Sequence, residues 1–90
     1  MQKRVHVYYS GSVQGVGFRY TARSLANSLR LNGWVKNVPD GRVELVAEGE
    51  ENVLKGYLSK IKEELNYCNF KESVSWAQPT GEFNRFEIAF

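Results

Sequence analysis

Apolar and polar residues alternate with a period of two near the start of the sequence. In residues 4–10, RVHVYYS, one face carries Val5, Val7 and Tyr9, and the other carries His6 and Tyr8. β-Branched and aromatic residues in this alternation are typical of a half-buried strand. The pattern therefore predicts a β-strand over residues 4–10.

Two later segments change to the three- and four-residue spacing of an amphipathic helix. The apolar residues of the first are Phe18, Ala22, Leu25, Ala26 and Leu29. Those of the second are Val53, Leu54, Tyr57, Leu58, Ile61 and Leu65. Glu50 and Glu51 precede the second run, where acidic residues favour the positive end of a helix dipole. We expect helices over about residues 19–31 and 50–65.

The remaining apolar runs predict strands. The turn sequence P-D-G at residues 39–41 separates runs at 34–38 and 42–48, which indicates a hairpin. A further strand is expected over 70–78, followed by a turn at 79–81. In the final run, 85–90, Phe86, Ile88 and Phe90 alternate with other residues.

The element order is that of a split β-α-β unit with an additional C-terminal strand. Right-handed crossovers then place both helices on one face of an antiparallel or mixed sheet. We therefore predict a ferredoxin-like two-layer α+β sandwich, formed as one domain by residues 1–90. Four apolar side chains are expected in its core: Phe18, Trp34, Phe86 and Ile88.

Composition narrows the possible functions. The only cysteine is Cys68 and the only histidine is His6, so no disulfide, zinc or redox site is expected, and no cofactor. His6 is expected to be structural or on the surface. The formal charge of +2 is too small to predict a nucleic-acid or membrane partner. Without a long apolar run or a signal pattern, the chain is expected to be soluble and cytoplasmic. It is also expected to be a monomer.

Three glycines within seven positions precede the first predicted helix, in 10-SGSVQGVGFRYTAR-23. Gly15 and Gly17 allow sharp turns that direct the amides from about Gln14 to Arg19 towards one centre, where they accommodate a tetrahedral anion. The Arg19 guanidinium matches two oxygens of a phosphate. The competing interpretation is a tight turn followed by a solvated arginine.

Asn37 lies near the end of the strand predicted over 34–38. A period of two places it on the same side as Val35, which is a core-facing or cleft-facing position. Its neutral amide both donates and accepts hydrogen bonds, so it can orient a water molecule. The alternative is a strand-end asparagine that bonds to its local backbone.

Two separate motifs resemble those of the acylphosphatase family. The segments 11-GSVQGVGFR-19 and 33-GWVKNVPDGRVELVAEG-49 are similar to its signatures, G-x-V-Q-G-V-x-F-R and G-W-V-x-N-x-x-D-G-x-V-E. The resemblance implies that Arg19 is the phosphate-binding arginine and Asn37 the asparagine that positions water. It also implies a phosphate cradle formed by the backbone of Gln14, Gly15, Val16, Gly17 and Phe18.

The chain departs from the family pattern at three places. Arg30 stands where glycine is common after the first helix, Ser12 stands where a basic residue is frequent, and residues 65–70 lack the usual Gly-Pro. Since none lies in the implied site, we expect them to alter loop geometry and stability more than activity.

The implied activity is hydrolysis of an acyl phosphate to a carboxylate and inorganic phosphate. A carboxylate leaves without a proton from an acid, so the site needs neither His, Cys nor a pair of carboxylates. No metal site is expected either. Inorganic phosphate is expected to act as product and competitive inhibitor. The alternatives are a non-catalytic phosphate-binding module, and an RNA-binding module that stacks bases on Tyr8 and Trp34.

Overall fold

The computed structural model describes residues 1–90 and contains two helices and five strands. In chain order these are β1 (Gln2–Gly11), α1 (Phe18–Ser28), β2 (Asn32–Asn37), β3 (Val43–Glu50), α2 (Glu51–Glu64), β4 (Phe70–Ala77) and β5 (Phe86–Ile88). Every predicted element is present. The bounds differ from the predicted ones by one to three residues at most ends.

The five strands form one mixed sheet in the order β4-β1-β3-β2-β5. β1 pairs antiparallel with both β3 and β4, and β2 pairs antiparallel with β3. β5 instead runs parallel to β2, with Phe86 opposite Gly33 and Ile88 opposite Val35. The predicted ferredoxin-like α+β fold with an additional C-terminal strand is confirmed.

Both helices pack on the face of the sheet that carries Val5, Val7 and Tyr9, all of which are fully buried. The helices contribute seven buried residues, Phe18, Ala22, Ala26, Leu54, Tyr57, Leu58 and Ile61. The apolar stripe of each helix therefore closes the same core, as a two-layer fold requires. Both helices are too short or too polar to span a lipid bilayer.

The predicted core positions are only partly confirmed. Phe18 and Phe86 are buried, and Ile88 packs at the edge of the core. The prediction for Trp34 was wrong: it is half-buried on the opposite face of the sheet, with the Lys36 ammonium 5.1 Å from its ring centroid. Val35 faces the helices, and neighbouring side chains of a strand must point to opposite faces.

α1 ends three residues earlier than predicted. The Leu31 amide donates to the Ala26 carbonyl over 2.9 Å, and the Arg30 amide donates to the Asn27 carbonyl over 3.2 Å. These are the two hydrogen bonds of a Schellman motif, which requires a left-handed residue after the helix. Arg30 occupies that position with φ 57°, the only positive φ at a residue other than glycine.

Arg30→Gly should stabilise the protein, because glycine adopts the left-handed conformation without a clash of its Cβ. We expect a gain of about 1 kcal/mol in the free energy of unfolding. In a chain of this size that corresponds to a rise of about 4–8 °C in melting temperature, measured by circular dichroism. Arg30→Ala is the matched control, since it removes the side chain but keeps Cβ. Equal stabilisation by alanine would attribute the effect to the side chain instead of the backbone.

Candidate active site

Residues 12–17 connect β1 to α1 and form the glycine-containing loop singled out from the sequence. Gly15 and Gly17 have φ angles of +75° and +80°. A Cβ built at either position would meet no atom within 4 Å, so it is the backbone conformation that requires glycine there, not lack of space. The prediction of sharp turns at these two residues is confirmed.

The loop leaves a continuous set of backbone donors without protein acceptors. No amide from Gln14 to Arg19 donates to a backbone carbonyl or to a side chain. α1 begins within this segment, with no side-chain cap at Gly17 and no acidic residue in its first turn. Free amides and the positive end of a helix dipole together favour an anion.

Aromatic packing fixes the end of the loop to the core. The Phe18 ring is buried, 4.7 Å from the Tyr9 ring and 5.7 Å from the Phe70 ring, measured between centroids. Burial raises the pKa of the Tyr9 hydroxyl well above its usual value, so that residue stays neutral. Phe18 therefore contributes an amide to the loop and a side chain to the core.

The Gln14 side chain joins the loop to the β2–β3 hairpin. Its Nε2 donates to the Val38 carbonyl and to the Arg42 carbonyl, both over 2.9 Å. The hairpin is closed at the same place, where the Val38 amide donates to the Arg42 carbonyl over 2.8 Å. Both amide hydrogens of Gln14 thus hold the loop against the residues that follow Asn37.

One cleft of about 240 Å³ brings the predicted site residues together. It is lined by Val13, Gly15, Gly17, Phe18, Arg19, Tyr20 and Asn37. Arg19 reaches it from the first turn of α1, and Asn37 reaches it from the last residue of β2. Gln14 and Val16 belong to the same loop but are not part of the cleft lining.

The two polar side chains in the cleft have unused bonding capacity. The Asn37 Oδ1 atom is buried and accepts no hydrogen bond, so this residue does not bond to its local backbone as the alternative proposed. Arg19 is half-buried and forms no salt bridge. No carboxylate lines the cleft. The cleft therefore presents a permanent positive charge beside a neutral side-chain amide, an arrangement suited to an anion and a water molecule.

Sequence reasoning missed three contributors to this region. The side-chain bonds of Gln14 were not foreseen, because only its backbone was considered. Tyr67 was not singled out, yet its hydroxyl donates to the Val16 carbonyl over 3.1 Å. Tyr20 is 62% exposed and lines the cleft. The one sequence feature that could have identified Tyr20 as a cleft residue is its position next to Arg19.

His6 lies away from the cleft, on the face of the sheet opposite the helices. Its Nε2 is 2.6 Å from the Glu44 Oε2 atom, which also accepts a hydrogen bond from the Tyr8 hydroxyl over 3.0 Å. Lys36 is a further neighbour, 3.9 Å from the other Glu44 oxygen. The histidine thus belongs to a polar cluster on the sheet.

Comparison with known proteins gives consistent matches along the chain. The family model described as Acylphosphatase matches residues 5–88. An acylphosphatase of Syntrophus aciditrophicus is 45% identical over 100% of this chain and 95% of its own length. One of Roseiflexus sp. is 42% identical over 94% of this chain and 92% of its own.

A solved structure gives the same result. The crystal structure of acylphosphatase from Bacillus subtilis superposes with a TM-score of 0.89 at 37% identity, covering 98% of this chain and 99% of that one. Fold, motifs and sequence similarity therefore agree over almost the whole length, and the chain belongs to the acylphosphatase family.

Proposed function

We propose that the chain hydrolyses acyl phosphates in this cleft, releasing a carboxylate and inorganic phosphate. The observation that carries the proposal is the cleft itself, which brings the Asn37 side chain together with Arg19 and with a loop whose amides have no protein acceptor. An anion and a water molecule are the two components that such a reaction must bring together.

The phosphoryl group is held by Arg19 and by the backbone amides of Gln14, Gly15, Val16, Gly17 and Phe18. These amides have no protein acceptor, and Arg19 has no carboxylate partner, so no internal bond has to break when the phosphoryl group binds. Donors fixed by the backbone stabilise the charge that moves onto the phosphoryl oxygens in the transition state.

Asn37 orients the attacking water. Its side-chain amide forms a hydrogen bond with the water, whose oxygen then forms a bond to phosphorus as the bond from phosphorus to the acyl oxygen breaks. The electron pair of that bond leaves with the carboxylate, and the proton of the water passes to the substrate itself. No side chain of the cleft needs to act as an acid, because a carboxylate is a good leaving group.

The reaction proceeds without a metal ion or other cofactor in this proposal. The positive charge required near the phosphoryl group comes from Arg19 and the start of α1. Inorganic phosphate, the product, occupies the same cradle and acts as a competitive inhibitor.

We further propose that residues 1–90 act as one domain, as a monomer in the cytoplasm, without a nucleic-acid partner. The open face of the sheet argues against base stacking. The Arg42 guanidinium lies 4.2 Å from the Tyr8 ring centroid, and Lys36 lies over Trp34. Glu44 adds negative charge beside the Tyr8 ring. Covered rings beside a carboxylate make a poor platform for RNA.

The reaction can be tested with purified protein and acetyl phosphate in the presence of excess chelator, by following phosphate release. We expect full activity under chelation and competitive inhibition by added inorganic phosphate. A phosphate monoester should be hydrolysed poorly, because its alkoxide leaving group requires an acid that the cleft lacks. Loss of activity on chelation would contradict the metal-free mechanism. Phosphate binding without turnover would favour the non-catalytic alternative.

Substitutions at Arg19 and Asn37 should separate binding from water positioning. Arg19→Ala should weaken phosphate binding and lower kcat together, and Arg19→Lys should restore little, because the planar fork is lost. Asn37→Ala should lower kcat by about a hundredfold or more while phosphate inhibits almost as before. The measurements are steady-state kinetics and the inhibition constant of phosphate, after circular dichroism has shown that each variant is folded. Normal kcat with weakened phosphate binding in Asn37→Ala would make Asn37 a binding residue.

The Gln14 side chain should affect catalysis only by positioning the hairpin that carries Asn37. Gln14→Met keeps the length of the side chain but removes both donors to the hairpin that carries Asn37. We expect kcat to fall by about tenfold to a hundredfold, since small displacements of a reacting group are costly, while the inhibition constant of phosphate changes little. Gln78→Met, at an exposed position after β4, is the matched control. An equal loss of kcat in both variants would show a nonspecific effect of methionine.

A further inference from the structure

The connection between α2 and β4, residues 65–69, contacts the glycine-containing loop at two points. The Ser12 amide donates to the Asn69 carbonyl over 3.2 Å, at the start of the loop. The Tyr67 hydroxyl donates to the Val16 carbonyl over 3.1 Å, between the two glycines that turn the loop. The Tyr67 bond is the one that reaches the segment proposed above as the phosphate cradle.

The backbone that carries Tyr67 is fixed by its neighbours. Leu65 is fully buried, and Cys68 is buried in the same core. The Cys68 amide donates to the Leu65 carbonyl over 2.9 Å, which closes a turn around Tyr67. The Tyr67 side chain itself is exposed, and no other aromatic ring or cation stacks on it. Packing in the core therefore does not explain where its hydroxyl lies.

The bond from Tyr67 sets the direction of the Val16–Gly17 peptide group. A trans peptide group is planar, and its C=O and N–H bonds point in opposite directions. Val16 and Tyr67 lie outside the lining of the cleft, whereas Gly17 is part of it. With the Val16 carbonyl turned outwards to Tyr67, the Gly17 amide points to the opposite side, towards the cleft. That amide has no protein acceptor, so it is free to donate to an anion.

The Val16–Gly17 peptide has little else to hold it in this orientation. The Val16 carbonyl accepts no other hydrogen bond. Rotation of the peptide changes φ of Gly17, and glycine adopts either sign of φ without a clash. No atom lies within 4 Å of a Cβ built at Gly17, so the space around it is open. In the rotated orientation a carbonyl oxygen faces the cleft in place of the amide, and it repels an anion.

We propose that Tyr67 is a positioning residue for the cradle, whose hydroxyl holds the Val16–Gly17 peptide with its amide directed at the phosphoryl group. The proposal rests on the function proposed above, because it concerns the same cradle. Tyr67 does not touch the substrate. It raises the fraction of unliganded molecules whose loop is ready to bind, and the apparent affinity for phosphate scales with that fraction. The departure from the family pattern at residues 65–70 thereby affects binding as well as loop geometry.

Tyr67→Phe removes the hydroxyl and keeps the ring. We expect the inhibition constant of inorganic phosphate and the KM for acetyl phosphate to rise by the same factor, about threefold to tenfold, as for one net hydrogen bond. The kcat should stay unchanged, because bound substrate selects the ready orientation of the loop. This result differs from the lower kcat expected for Arg19→Ala and Asn37→Ala. The melting temperature should change little, since the substitution is at the surface.

Tyr8→Phe is the matched control. It removes a tyrosine hydroxyl that donates over 3.0 Å to Glu44, on the face of the sheet opposite the helices. It should leave the inhibition constant of phosphate, the KM and the kcat unchanged. An equal rise of the inhibition constant in both variants would show a general effect of losing a hydroxyl and would overturn the positioning role of Tyr67.

Nuclear magnetic resonance can observe the peptide directly. The amide signal of Gly17 in a ¹⁵N–¹H spectrum should differ between the native protein and Tyr67→Phe without phosphate, and the difference should become small at saturating phosphate. Unchanged phosphate affinity in Tyr67→Phe, or a difference that persists at saturation, would overturn the proposal. If the native protein binds phosphate but does not hydrolyse acetyl phosphate, the proposed function fails, and the phosphate titration still decides the role of Tyr67.

Discussion

The two hydrogen bonds donated by the Gln14 side chain hold together the two segments on which the site depends. The glycine-containing loop follows β1, whereas Asn37 ends β2, and β3 lies between these two strands in the sheet. A loop at the end of one strand does not by itself fix its distance from the end of another. By donating to the carbonyls of Val38 and Arg42, Gln14 sets that distance where the hairpin turns. The spacing between the glycine-containing loop and Asn37 thus depends on the sheet and on one side-chain amide.

The elements that bury one clear face could be predicted from the sequence. β1 buries alternate residues and α2 buries every third or fourth, so both periods are visible in the residue types. The end of α1 could not be located, because Leu29 and Leu31 continue the apolar pattern while the chain turns at Arg30. The prediction that Trp34 lies in the core failed for another reason. Aromatic residues also occur on the open face of a sheet, where a charged side chain, here that of Lys36, covers the ring.

In the site, too, residues within short motifs could be predicted, whereas contacts between residues far apart in the sequence could not. Arg19, Asn37 and the glycines fall within two short motifs, and the structure brings them to one cleft. The bond from Tyr67 to Val16 joins residues 51 positions apart, and those of Gln14 span 24 and 28 positions. No local pattern in residue types encodes such a pair. A residue whose side chain bonds to a distant carbonyl can be identified only when the fold shows which residues lie close together.

Because β5 pairs with β2 and is the last element of the chain, the sheet is complete only after the C-terminal residues have been synthesised. β5 is made after both helices, yet it contacts the strand that ends at Asn37: the Gly33 amide donates to Arg85, and the Ala89 amide donates to Val35. Before these residues emerge from the ribosome, β2 is an unpaired edge of the nascent chain and exposes free backbone groups. Until then β2, which ends at Asn37, is an open edge that a chaperone or another nascent chain can contact.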